Sequence, residues 1–144
     1  MKRVLCAGIA SLLVSSAFAQ DTVLKVLMDK SDVIAHVRVL EVQGGRYDEE
    51  GVEEIVASCE VLELLKGPIK DPKLVTFHFN RFHFQKNEEP SIVAKGNQYV
   101  LFLTGDSQDS RSIPPFSLID RWTGALPYHF HLVNRLKEHL KEKR

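Results

Sequence analysis

Two spacings divide the chain. From Val33 to Val42 apolar residues recur with period two, Val33, Ala35, Val37 and Val39 on one face and Ile34, His36, Arg38 and Leu40 on the other. That alternation, rich in β-branched residues, predicts a strand. Gln43 to Gly51 holds three glycines with Asp48, Glu49 and Glu50, the composition of a solvated hairpin loop. A second long strand is expected from about Val52 to Leu65, with Ile55, Ala57, Cys59 and Val61 inward and Glu54, Ser58 and Glu60 on the wetter side. Lys66-Gly67-Pro68 and Asp71-Pro72 interrupt it, because proline removes a ladder donor and restricts its predecessor.

Leu74 to Phe84 predicts a third strand with an internal conflict. Phe77 and Phe79 share one parity, and Phe82 and Phe84 share the other. A bulge near Asn80-Arg81 would let all four reach apolar surface. Asn87 to Pro90 is polar, and Ser91 to Ala94 is expected to be briefly extended. Gln98 to Leu103 is apolar on both faces, which suits a central, doubly covered strand. Pro114-Pro115 leads into a last strand at Phe116 to Asp120. Helical spacing brackets these strands. Asp21 can cap a short helix carrying Val23, Leu24, Leu27 and Met28, ended by Ser31-Asp32. Pro127 suits a first helical turn, with Phe130, Leu132, Val133, Leu136 and Leu140 on the apolar face and the helix reaching about Lys141.

Residues 1–19 obey neither spacing. Met1-Lys2-Arg3 is basic, Val4 to Ser16 is mostly small and apolar, and Ala17-Phe18-Ala19 has the form of a signal-peptidase site. The expectation is a cleaved leader at 1–19 and a single domain at 20–144. Removing the 19 residues takes the chain from 144 to 125 and the basic count from 19 to 17, a net charge of −2 against 19 acids. That balance argues against a nucleic-acid binder, which needs a basic stripe to displace counterions. No later apolar run approaches the roughly 18–20 residues that span a bilayer. Cleavage would remove Cys6, which stands too near the start for a lipobox, and leave Cys59 without a disulfide partner. Its alternation with Ala57 and Val61 predicts a buried thiol.

Five strands between two helices predict a mainly β fold: a five-stranded OB-like antiparallel barrel with a short N-terminal helix and a C-terminal amphipathic helix. Three segments sharpen this: Asp32-Val33-Ile34-Ala35-His36-Val37-Arg38-Val39, then Cys59-Glu60-Val61-Leu62-Glu63-Leu64-Leu65-Lys66-Gly67, then Lys95-Gly96-Asn97-Gln98-Tyr99-Val100-Leu101-Phe102-Leu103. Together they resemble a set of small exported bacterial proteins, similar in turn to the OB-type barrel of netrin-like modules and tissue inhibitors of metalloproteinases. The resemblance covers Asp32 to Leu103 and implies a strand arrangement with no catalytic residue. Those inhibitors chelate zinc through an N-terminal cysteine, whereas this chain after cleavage would begin Gln20-Asp21, so that mechanism does not carry over.

Candidate chemistry rests first on the histidines, His36, His78, His83, His129, His131 and His139. In an exported protein with one thiol, imidazoles are the natural ligands for zinc or copper. An extended Tyr128 to Leu132 would put His129 and His131 on one face; a helix starting at Pro127 would turn them about 200 degrees apart. The expected bulge would likewise bring His78 and His83 together, and these four are the candidate metal ligands. Asp48 to Glu54 is dense in acids but lacks the alternation of a calcium loop. Phe77, Phe79, Phe82, Phe84, Tyr99 and Phe102 either fill the barrel or form a stacking platform. Trp122 either lids one barrel end or faces a partner. The basic tail of Lys137, Lys141, Lys143 and Arg144 complements a helix C-terminus without needing a ligand. With no nucleophile spacing present, the expected function is a non-enzymatic binding or accessory module, secreted or periplasmic, with an envelope or extracellular protein partner. The alternative is a histidine-based zinc or copper protein.

Overall fold

A computed structural model describes residues 21–69, 71–84, 87–88, 92–105, 116–120 and 123–142, with the backbone alone at 45–47, 82–84 and 87–88. The first two strands, β1 (Val33–Tyr47) and β2 (Val52–Lys66), form a hairpin longer than the alternation suggested. The loop contracts to Asp48–Gly51 because Asp48 organises it: its Oδ1 accepts from the N–H groups of Glu50 and Val52, each at 2.9 Å. Gly51 takes a φ of 78°, the left-handed residue that such a turn requires. Register shifts at Ile34/Ala35, His36/Val37 and Val39/Glu41 bend both strands, as bulges do. The last of these also exchanges parity, so Val42 joins the interior although it is out of step with Val39.

The remaining elements are β3 (Leu74–Phe84), β4 (Asn87–Glu88), β5 (Gln98–Gly105), β6 (Phe116–Leu118), β7 (Ala125–Pro127) and the helices α1 (residues 21–30) and α2 (Phe130–Glu142). β1 pairs with β2, β2 with β3, β3 with β6, β6 with β5, and β5 with β1. That circuit is a closed five-stranded barrel in a mainly β fold, compatible with an OB-like barrel, with the expected short helix before it and the expected amphipathic helix after it. Closure comes at one parallel seam, Phe77↔Phe116 and His78↔Ser117, while every other pairing is antiparallel. Ser91 lies outside the described residues. Ile92 to Ala94 is not a strand: Val93 is buried, and Ala94 N–H donates to the Tyr99 hydroxyl at 2.9 Å.

Apolar side chains separate into two layers. Val37, Ile55, Ala57, Cys59, Phe77, Leu101 and their neighbours fill the barrel, while Leu24, Leu27 and Met28 of α1 and Val133 and Leu136 of α2 pack outside it on Ile34, Val100 and Phe102. β5 is therefore covered on both faces, as its unbroken apolar run predicted. Each fully buried Val, Leu, Ile, Met or Phe among them contributes about 1.5–3 kcal/mol by leaving water. Lys66 ties α1 to the barrel by donating from Nζ to the carbonyls of Met28 and Ser31, both at 2.7 Å; a cation at a helix C-terminus is favoured. Two helical residues depart from the expected faces. Val23 is exposed, and Phe130 is 61% exposed instead of packed.

β3 resolves its phenylalanine conflict differently from expectation. Its register against β2 is unbroken from Leu74 to Phe82, so the bulge near Asn80-Arg81 is absent. The inward position after Phe79 belongs to Arg81, which sits opposite Glu53. Arg81 donates to Glu53 Oε2 from Nη2 at 2.8 Å and from Nε at 3.3 Å. The Glu53 side chain is 6% exposed and that of Arg81 24%. A Cβ at Gly44 would collide with the Glu53 carboxylate, so the first of the loop glycines makes room for this ion pair inside the barrel end.

Removing Arg81 takes a bidentate cationic partner from the buried Glu53 carboxylate, and taking a partner from a buried charge is costly. Arg81→Met should lower the urea-derived unfolding free energy by about 2–3 kcal/mol, less than for a fully enclosed pair because Arg81 reaches water. Adding Glu53→Leu should restore most of that loss; an Arg81→Met variant as stable as the parent would contradict the assignment.

Candidate functional site

The entry to α2 is set by β5. β7 pairs with β5 as Leu101↔Ala125, Val100↔Leu126 and Tyr99↔Pro127, and Tyr128 N–H continues the ladder to Gln98 O at 3.0 Å. Pro127 is thus a strand residue and not the first turn of the helix, which corrects the expected start. Proline is tolerated there because its strand is short and its next-door amide does the pairing. The helix begins at Phe130, three residues after Pro127, behind a histidine cap. Val133 N–H donates to His129 O at 3.2 Å, and His131 N–H donates to His129 Nδ1 at 3.2 Å, the role usually filled by a short polar side chain.

This late start makes a ridge of rings. Tyr128 stacks on His36 with centroids 4.0 Å apart and planes within 7°. His36 is largely buried, and its Nε2 donates to Gln98 Oε1 at 2.8 Å. His129 and His131 stack at 5.1 Å, and Phe130 meets His131 edge-on at 5.4 Å. Tyr128 is 38% exposed. Beside the ridge lies an open cleft of about 470 Å³ lined by Gly96, Asn97, Gln98, Tyr99, Pro127 and Tyr128.

Of the four candidate ligands, the structure brings His129 and His131 together, with His129 Nδ1 already used as a helix cap. His78 lies on β3 between Val56 and Ser117, with its Nδ1 buried and without a hydrogen bond. His83 pairs through its backbone with Glu88, and its side chain lies outside the described residues. Without the bulge, positions 78 and 83 have no common face. Among the described residues no group of three His, Cys, Asp or Glu side chains is placed to hold a metal ion.

The other candidates find structural employment. Asp48 builds the turn and Glu53 the ion pair, so the acidic run is divided between solvent and core. Phe77 and Phe79 fill the barrel, Phe102 packs under the helices and Tyr99 is buried; none of these four forms an outer platform. Phe82, Phe84 and Trp122 lie outside the described side chains. Cys59 is fully buried, and burial pushes its thiol up to about 12. The ridge escaped the sequence reading because a helix from Pro127 puts Phe130 on the packed face; the one local signal was an outward-facing His36 on a strand otherwise apolar at its start. No family model matches the chain, and neither does any curated protein.

The thiol gives a pH test. Unfolded, Cys59 ionises near 9.0, and folded near 12. Its contribution to stability is therefore complete below about 9 and is lost as pH rises between those values. Cys59→Ala should unfold with a weaker alkaline dependence over that window. In the parent at neutral pH, a thiol reagent should label Cys59 only as fast as the barrel opens.

Proposed function

We propose that the chain is an exported, non-enzymatic binding or accessory module of the cell envelope or secretome, with the Tyr128–His131 ridge and its cleft as the ligand face. The observation that carries this reading is the exposed ring surface held on a rigid base. Tyr128 is fixed by a backbone bond to β5 and by its stack on His36, so a ligand meets a preorganised surface. The buried thiol supports a binding role over nucleophilic catalysis. Export rests on the leader pattern of residues 1–19, and the lack of excess positive charge favours an envelope or extracellular protein or glycan over nucleic acid. The circuit of strands with its single parallel seam is compatible with the barrel of netrin-like modules, a likeness that extends to shape and not to the inhibitors' zinc chelation.

Two measurements test this. Full-length protein produced in a Gram-negative host should be recovered from periplasm or medium with Gln20 as its first residue; retention of residues 1–19 in a cytoplasmic product would oppose export. A photo-crosslinking residue at Phe130 should give a defined adduct in envelope extract, while the same residue at exposed Leu62 of β2 gives none. Equal labelling from both positions, or none from either, would oppose the assigned face.

The stacked pair His129 and His131 favours one second reading, a zinc or copper site completed by ligands from a partner. Titration of zinc and copper against imidazole NMR signals decides it. Saturable shifts at stoichiometric metal, lost in His131→Ala, would support it; affinity no tighter than micromolar would remove it.

A further inference from the structure

The described residues that line the cleft beside Tyr128 include no Lys, Arg, His, Asp or Glu, in a chain with 19 acidic and 19 basic residues. Those residues offer a charged ligand no countercharge in exchange for any hydration it gives up. What the lining offers instead is one aromatic face and unspent amides. One face of the Tyr128 ring is occupied by His36, and the ring also lines the cleft. The Asn97 side chain is exposed and has no hydrogen-bond partner among the described residues, and Gln98, whose Oε1 is taken by His36, keeps its Nε2 to donate. Gly96 adopts a φ of 87° with open space where a Cβ would stand, so the floor of the cleft is bare beside those amides. The volume of about 470 Å³ lies within the range of small-ligand sites.

A flat apolar face beside groups that both donate and accept matches a ring with C–H bonds on one side and vicinal hydroxyls at its edge. We infer that the cleft binds a neutral pyranose, carried on a free oligosaccharide or at the end of a glycan, between the Tyr128 ring and the Asn97 and Gln98 amides. This inference rests on the ligand face proposed above and names its ligand class. The site lies at the β5–β7 edge, away from the β2–β3 face where barrels of this type commonly hold ligands, and comes from this chain's own residues. The same neutrality disfavours a single-stranded nucleic acid, whose phosphates need cations alongside the stacking ring.

Mature protein titrated by NMR with maltotriose and, separately, with triacetylchitotriose distinguishes a plain hexose from an N-acetylhexosamine, with an oligodeoxythymidylate as the anionic comparator. At least one sugar should give saturable shifts centred on residues 96–99 and 127–128. Asn97→Ala, an exposed change that leaves the fold intact, should weaken that binding about fivefold, the equivalent of one neutral hydrogen bond. Tyr128→Ala should abolish it, whereas Tyr128→Phe keeps the stacking face and most of the affinity. No saturable shift with either sugar, binding indifferent to Asn97→Ala, or preference for the oligonucleotide would overturn the inference. Should both sugars fail while Phe130 still crosslinks, the ligand class alone is wrong; should both experiments fail, the assigned face falls with it.

Discussion

Every part of the fold leans on the pairing and burial of β5. Its eight residues give one edge to β1 over the whole of Val33–Arg38 and share the other among β7, the Gly124 carbonyl, Ile119 and β6. One face looks into the barrel and the other lies under both helices. A strand so placed has no free backbone group along its middle and no polar face, which is why an uninterrupted apolar run is the sequence that fits it. Closure of the barrel, docking of α1 and α2, and the position of the ring ridge are all consequences of what β5 pairs with.

Charge is kept to the margins of this arrangement. Glu53 and Arg81 neutralise each other where the interior ends, Lys66 serves helix carbonyls, and Asp32 Oδ2 accepts from Gly105 N–H at 2.9 Å at the end of β5. Between the helices and their surroundings, Asp21 faces Arg135 at 3.4 Å and His139 at 3.8 Å, while Lys137 meets Glu63 at 2.6 Å. The Arg135 and Lys137 pairs, exposed at both ends, contribute at most about 1 kcal/mol each. They orient α2 more than they stabilise it. The cleft beside Tyr128, in the same chain, shows no charged side chain among its described lining residues.

Much of the barrel was legible from period alone. The alternation of β1 and β2, the doubly apolar β5 and the helical stripe of Val133, Leu136 and Leu140 each express a burial that the local pattern already encodes. What was not legible depends on distant partners. β7 is three residues with no alternation, and it is a strand only because β5 offers an edge, which moves the helix start from Pro127 to Phe130. Arg81 reads as a polar interruption among phenylalanines until Glu53 is seen across the ladder, and Glu53 itself reads as part of an acidic loop. The ridge inherits that difficulty. His36 and Tyr128 are far apart in sequence, and the meeting of His129 with His131 follows from a helix boundary that neighbouring residues do not set.

The central claim is that the ring ridge is fixed to the barrel and not carried on a loose connection between strand and helix. Native-state hydrogen exchange reads this directly through the Tyr128 amide, which donates to Gln98 O, compared with the β5 amides of Val100 to Leu103. The account predicts that Tyr128 exchanges in the same slow class as those amides, opening only when the β5 edge opens. A Tyr128 amide exchanging near the rate of an unstructured peptide, with β5 still protected, would contradict it.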